Sequence, residues 1–298
     1  MYARVVHLGR MPSASLPLRV TAPAFQARKG ENPLVVVTAY DAPQGRLADA
    51  AGVDALLVGD SLAMVTLGYD STLPITLDDI IRHTQAVARG QSSRKRAVTP
   101  TESETARGAR YALLVADLPF GSYGATVEDG VRAGMRLVSE GGAQAVKLEG
   151  AAPVFLETIQ RLVSVGVPVM GHLGMTPQSV HRFGGFRVQG RTEGEADSLV
   201  SDARRLVDAG VFGIVLELVP AALARRVTDA VSVPTIGIGA GRNCDGQVQV
   251  LHDLLGLSPR SVRHARAYAD LGTEIERAVA AYAMDVRENR FPTEENEI

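Results

Sequence analysis

The sequence predicts a single (βα)8 TIM barrel of the α/β class. Three observations lead there. Short, near-continuous Val/Ile/Leu runs recur along the 298 residues, as expected for parallel strands buried on both faces. Segments with helical period, each with start and stop residues, lie between the runs. No break in composition divides the chain, so strand and helix alternate within one unit. A doubly wound open sheet shares that alternation and is the competing architecture.

In chain order, residues 1–19 read as a flexible N-terminal arm. Arg4, Arg10, Arg19, Arg28 and Lys29 precede the first acid, Glu31, a basic pattern that also resembles a weak targeting composition. The barrel is expected over 20–290, with a short tail at 291–298. Strand-like runs fall at Pro33–Thr38, Asp54–Val58, Ala112–Ala116, Ala145–Leu148, Val167–Met170, Phe212–Leu216 and Thr235–Ile238, with a weaker eighth at Val248–Leu251. Thr76-Leu-Asp-Asp79 is a capping box that opens a helix over Ile80–Arg89, stopped by Gly90. Thr126-Val-Glu-Asp129 opens another, ending at Gly141-Gly142, and Glu195–Ala209 is a third, closed by Gly210. Two stretches lack a period. Gln91–Arg110 is polar and charged and reads as an extended exposed loop, with Arg94-Lys95-Arg96 a solvated patch. Leu173–Gly194 is glycine-rich and reads either as an active-site lid or as a surface loop. The end of the chain predicts two helices, one starting at Ser258-Pro259 and one capped by Thr273-Glu-Ile-Glu276. Val279, Tyr282, Ala283 and Val286 give the second an apolar stripe, to be covered by its own barrel or by a neighbouring subunit.

A formal net charge of −2 gives no general attraction to nucleic acid or anionic membrane, so neither is expected as a partner. One cysteine, Cys244, excludes an intrachain disulfide and suits a reducing, cytoplasmic compartment. It reads as structural. No apolar run reaches the roughly 18 residues of a membrane span.

Barrel enzymes build their sites at the carboxyl ends of strands. The polar residues there are Asp60 and Ser61, Asp117, Lys147 and Glu149, His172, and Glu217. Lys147 and Glu149 are two apart on a strand and point to one face, with Leu148 opposite. Each has an ordinary reading: a loop cap, an ion pair, a hydrogen-bonded wall residue for His172. Their coincidence at five strand ends favours function, because buried charges are scarce unless paired or used. Carboxylates converging on one mouth must be protonated, paired with Lys147, or bound to a cation. A hard divalent ion with oxygen ligands, such as Mg2+, fits best. Gly237-Ile-Gly-Ala-Gly241 reads as a tight turn in preference to a phosphate cradle.

At these residues the chain resembles the ketopantoate hydroxymethyltransferase family. The matching strings are Thr38-Ala-Tyr-Asp41, Leu57-Val-Gly-Asp-Ser61, Gly68-Tyr-Asp-Ser-Thr-Leu-Pro74, Ala116-Asp-Leu-Pro-Phe120 and Val146-Lys-Leu-Glu-Gly150. Gly171-His-Leu-Gly-Met-Thr-Pro-Gln-Ser179, Gly184-Gly-Phe-Arg-Val-Gln-Gly190 and Gly237-Ile-Gly-Ala-Gly241 complete them, in family order. The resemblance implies a Mg2+-dependent barrel that moves a hydroxymethyl group from 5,10-methylenetetrahydrofolate to 3-methyl-2-oxobutanoate in pantothenate biosynthesis. By resemblance Asp60, Asp117 and Glu149 match the metal positions. Asp60, Ser61, Asp117 and Lys147 match the oxo-acid contacts, and Glu217 matches the base. A homo-oligomer, up to a decamer built from dimers, is implied too. The chain departs from the family pattern in the length of Gln91–Arg110, in Ala151 where a second glycine is common, and in the absence of a histidine from Glu294–Ile298. Rival chemistries are a related Mg2+-dependent 2-oxo-acid lyase or aldolase and a Schiff base on Lys147. A non-catalytic scaffold would leave the mouth carboxylates unexplained.

Overall fold

The structure, a computed structural model, describes residues 19–93, 111–258 and 262–297. Its strands are β1 (Leu34–Thr38), β2 (Ala55–Val58), β3 (Leu113–Asp117), β4 (Ala145–Glu149), β5 (Val169–Gly174), β6 (Gly213–Glu217), β7 (Thr235–Ile238) and β8 (Gly246–Gln249). All are parallel and pair in sequence order, and β1 pairs with β8 as well as with β2, so the sheet closes on itself. The open-sheet alternative is thereby excluded.

Period two sorts the strand residues into two cores. Leu34, Val36, Leu57, Val115, Met170 and Ile236 belong to the cluster that fills the barrel. Leu56, Leu114, Leu148 and Leu216 belong to the cluster between barrel and helices. The short helix α1 (Ala22–Gln26) plugs the amino-terminal end, where fully buried Phe25 meets Phe212 edge-on with ring centroids 5.8 Å apart. Lys29 fastens the same end, its Nζ donating to Asp245 Oδ2 and to the Thr228 carbonyl, both at 2.8 Å.

The helical layer follows the capping chemistry. Helix α2 (Ala42–Ala51) is capped by the Asp41 side chain. A short α3 (Leu62–Val65) follows β2. Helix α4 (Leu77–Ser92) has the expected Thr76/Asp79 capping box, and α5 (Val127–Ser139) has Thr126 as its cap. Then come α6 (Pro153–Ser164), α7 (Val180–Phe183), α8 (Glu193–Asp208), α9 (Ala221–Ala230), α10 (Leu251–Leu254) and α11 (Leu271–Arg287).

Several boundaries differ from expectation. Helix α4 runs through Gly90 to Ser92, because this glycine serves packing and does not end the helix: a Cβ there would lie 2.1 Å from the Ala42 carbonyl oxygen of α2. Helix α8 starts two residues early, since Thr192 and Glu195 form its capping box. β5 extends to Gly174 because it pairs with β6 up to Gly174↔Glu217, which puts His172 within the strand. β8 begins at Gly246, which pairs with both Leu34 and Ile236. Leu251, expected in that strand, instead opens α10, its N–H bonded to Thr38 Oγ1 at 3.0 Å. No helix forms between Val262 and Asp270, and α11 is capped by Asp270 instead of Thr273. No residue of α11 is buried, so its stripe does not pack on this barrel.

Arg19 forms an isolated parallel bridge with Tyr111, and the rest of the expected arm lies outside the described residues. So do residues 94–110, the greater part of the expected long loop. The two flanks of that segment are tied together. Buried Asp49 accepts from Gln91 Nε2 at 3.1 Å and from the Ala112 N–H at 2.7 Å.

Gly90→Ala is expected to destabilise the protein by about 1–3 kcal/mol in urea unfolding, because α2 and α4 must separate to admit the methyl group. Gly194→Ala, where a Cβ meets nothing within 4 Å, is the control and should change stability by no more than about 0.5 kcal/mol.

Candidate active site

The inward positions that are apolar low in the barrel become charged at its carboxyl end. On β3 the series runs Leu113, Val115, Asp117; on β4, Ala145, Lys147, Glu149; on β5, Met170, His172; on β6, Val215, Glu217. Register brings Asp117 beside Lys147, and Glu149 beside His172. Asp60, just past β2, joins through its backbone N–H, which donates to Asp117 Oδ2 at 2.9 Å. Asp60, Asp117, Lys147, Glu149 and His172 are all buried.

The contacts form a chain. Lys147 Nζ lies 3.1 Å from Asp117 Oδ2 and 3.8 Å from Glu149 Oε1. His172 Nδ1 lies 3.3 Å from Glu149 Oε1, and its Nε2 lies 3.3 Å from Glu217 Oε2. Glu217 keeps more solvent access than the others, with 15% of its side chain exposed. After it Leu218 turns through a left-handed φ of 47°, a conformation that costs a non-glycine residue about 1 kcal/mol or more. The turn is held from both sides: the Leu218 N–H donates to the Ile238 carbonyl, and the Leu218 carbonyl accepts from the Gln189 N–H, each at 2.9 Å. Ser61 is half-buried and its Oγ lies 2.8 Å from the hydroxyl of buried Tyr40.

The electrostatics follow from burying more acids than bases. Burial, then the negative charges of Glu149 and Asp117, push the Asp60 carboxyl up to about 8. Burial also raises Asp117, against the pull of Lys147. Burial disfavours the charged Lys147, but Asp117, Glu149 and Asp60 outweigh it and hold the ammonium above its ordinary value. Burial disfavours the ionised Glu149 too, and His172, Lys147 and the Gln178 N–H outweigh it, keeping this carboxylate low. His172 is disfavoured as a cation by burial and by Lys147, yet Glu149 and Glu217 carry it to about 9.

Two residues escaped the sequence reading. Gln178, in a 3-10 turn (Pro177–Ser179) within the stretch read either as a lid or as a surface loop, is buried. Its Nε2 donates to Asp60 Oδ2 at 2.9 Å and to the Leu118 carbonyl at 3.0 Å, and its backbone N–H donates to Glu149 Oε2 at 3.0 Å. Tyr123 in turn donates its hydroxyl to Gln178 Oε1 at 2.7 Å. Neither carries a charge or a recognisable spacing. Only the Thr-Pro-Gln-Ser string hinted at Gln178. Of the Gly237–Gly241 stretch, Gly237 and Ile238 end β7 and the chain turns after them, with Gly239 and Gly241 at φ +63° and +79°.

Among the described residues no three His, Cys, Asp or Glu side chains already stand at ion-enclosing spacing; Lys147 contacts both Asp117 and Glu149. The donor set nevertheless fits a hard divalent cation. Asp117 Oδ1 and Glu149 Oε1 are buried without a hydrogen-bond partner among the described residues, and the local charge is in acidic excess.

Fold and site together define a barrel enzyme with an acidic, buried mouth. Solved structures share the fold at low identity. A 2,3-dimethylmalate lyase matches with a TM-score of 0.53 and 16% identity, over 93% of this chain and 91% of that one. A phosphoenolpyruvate phosphomutase from Streptomyces platensis subsp. rosaceus matches with a TM-score of 0.56 and 12% identity, over 90% and 88%. The family pattern described as "Ketopantoate hydroxymethyltransferase" matches residues 19–294. A protein of Moorella thermoacetica named 3-methyl-2-oxobutanoate hydroxymethyltransferase is 52% identical over 281 residues, 93% of this chain and 97% of its own length. A protein of the same name from Gluconacetobacter diazotrophicus is 51% identical over 280 residues, 93% of this chain and 94% of its own length. The chain belongs to the ketopantoate hydroxymethyltransferase family and is an enzyme of the transferase class.

The raised groups give the cation-free protein a pH response. His172, lifted from 6.5 to about 9, contributes stability that is complete below pH 6.5 and lost as pH rises through 9. Asp60, lifted from 3.8 to about 8, holds its proton longer folded than unfolded, so it too lowers stability as pH rises through that window. Thermal unfolding in EDTA should therefore show a Tm that falls between pH 6.5 and 9. A Tm that climbs over this range would contradict the assignment.

Proposed function

We propose that this chain transfers a hydroxymethyl group from 5,10-methylenetetrahydrofolate to 3-methyl-2-oxobutanoate, giving 2-dehydropantoate for pantothenate biosynthesis, with Mg2+ held by Asp60, Asp117 and Glu149. The observation that carries the reading is the juxtaposition, in one mouth, of acidic oxygens that accept no hydrogen bond, a buried ammonium and a partly exposed carboxylate. Mg2+ would supply Lewis acidity to the carbonyl of the oxo acid and so favour its enolate. The chain's own groups do the rest. Lys147, held charged by its neighbours, pairs with the negative charge of the substrate. Ser61, backed by Tyr40, offers a further hydrogen bond, and Asp60 and Asp117 complete the oxo-acid contacts. Glu217 takes the proton from C3, its carboxylate oriented by the 3.3 Å contact with His172. The carbon freed of its proton then bonds to the one-carbon unit, which parts from both folate nitrogens; a water supplies the new hydroxyl and one N–H proton, and the proton taken from C3 supplies the other.

Lys147 as a Schiff-base nucleophile is disfavoured by its environment. An amine must be neutral to attack a carbonyl, and three carboxylates keep this one protonated.

The same reading makes the protein a cytoplasmic homo-oligomer that works on small molecules, without nucleic acid or membrane. Among the described residues no helix is long and apolar enough to cross a membrane. Oligomerisation is supported by α11, where Val279, Tyr282 and Val286 are 61%, 56% and 43% exposed. Ten copies is the size the family resemblance implies.

Glu217→Gln should abolish deuterium exchange at C3 of 3-methyl-2-oxobutanoate, followed by NMR, while binding of the oxo acid survives. Undiminished exchange would remove Glu217 as the base. Turnover with the oxo acid and methylene-folate should vanish in EDTA and return with Mg2+, and borohydride should trap nothing on Lys147. Tyr282→Asp together with Val279→Asp should lower the assembly size in sedimentation velocity.

A further inference from the structure

The cation-binding carboxylates are not presented symmetrically. Each has one oxygen already committed to the protein. Asp60 Oδ2 accepts from Gln178 Nε2 at 2.9 Å. Asp117 Oδ2 accepts from the Asp60 N–H at 2.9 Å and lies 3.1 Å from Lys147 Nζ. Glu149 Oε2 accepts from the Gln178 N–H at 3.0 Å. The other oxygens of Asp117 and Glu149 are the buried atoms without hydrogen bonds, Glu149 Oε1 having only ionic contacts with His172 and Lys147. Two of the three commitments come from one residue, Gln178.

Gln178 is itself held in place. Its amide oxygen takes the Tyr123 hydroxyl at 2.7 Å, which fixes which end of the amide faces Asp60, and its second N–H is used by the Leu118 carbonyl at 3.0 Å. Tyr123 also lies against the backbone of Glu149, whose N–H donates to the Tyr123 hydroxyl at 3.2 Å. The 3-10 turn therefore clasps the carboxylates from β2 and β4 with one side chain and one peptide group.

Resting on the Mg2+ reading above, we propose that Gln178 is a positioning residue that sets cation selectivity: by occupying one oxygen each of Asp60 and Glu149, it makes these acids one-oxygen donors. That geometry suits Mg2+, which takes one or two carboxylates in near-octahedral geometry and keeps waters for substrate exchange. It disfavours Ca2+, which takes six to eight oxygens and readily uses carboxylates through both. Gln178 touches no reacting atom; it acts through the acids it holds. Hydrogen-bond partners of metal ligands are commonly worth 10–100-fold in affinity.

The test measures binding and not turnover. Wild-type protein in EDTA-treated buffer is titrated calorimetrically with Mg2+ and with Ca2+, and the ratio of the two affinities is compared with that of Gln178→Ala, which frees Asp60 Oδ2 and keeps the peptide N–H on Glu149. Mg2+ affinity should fall about tenfold or more, Ca2+ affinity should fall less or rise, and the Mg2+/Ca2+ preference should shrink about tenfold. Tyr123→Phe, which keeps the ring and removes only the hydroxyl that orients the amide, should move the ratio in the same direction by a smaller factor. It carries the test if Gln178→Ala does not fold in EDTA. An unchanged ratio, whether both affinities fall together or neither moves, overturns the proposal and leaves the Mg2+ reading intact. Failure of the wild type to bind either ion overturns both.

Discussion

The structure depends on balancing charge inside a closed barrel. Three acids are withdrawn from water at its carboxyl end, and their mutual repulsion has to be met locally. Lys147 meets part of it at 3.1 Å from Asp117, and His172 meets more by touching Glu149 and Glu217 at once. The balance stays short on the positive side, and Asp60 shows the deficit most clearly, because burial and two anionic neighbours act on it together. A site left in that condition favours the entry of a cation.

Closure of the barrel is what makes this arrangement possible. Parallel strands with a period of two send every second residue to the axis, so one sequence register serves both packing and chemistry. Lower on each strand the axial residue is apolar and belongs to the plug sealed by Phe25; two residues further it is an acid, a lysine or a histidine. Leu148, between Lys147 and Glu149, shows the other half of the rule by burying itself against the helices. The polar end is therefore built on the hydrogen-bonded strands of the barrel.

Much of this was legible in the sequence because it rests on period and charge. The strands of the mouth, the helix caps at Thr76 and Thr126, and the strand-end residues Asp117, Lys147, Glu149 and Glu217 all carry local signals. What was not legible rests on tertiary approach. Gly90 looked like a stop because a glycine late in a helical pattern often is one, and the nearness of Ala42 cannot be read along the chain. β8 hid because Gly246-Gln-Val-Gln249 alternates polar and apolar where the other strands are continuous. Gln178 and Tyr123 are neutral and come from different loops, so their convergence on Asp60 and Glu149 appears only in three dimensions. The stripe on α11 was read correctly as apolar, but sequence does not distinguish a covered face from one that stays exposed.

The Asp49 clasp has a consequence for how the chain can vary. One carboxylate grips Gln91 and Ala112, which lie on either side of residues 94–110. The grip lies where β3 begins, at the pole of the barrel opposite the acids. One buried carboxylate thus anchors the end of α4 and the approach to β3 together, so losing it would loosen two elements of the barrel wall at once while leaving the reactive centre untouched.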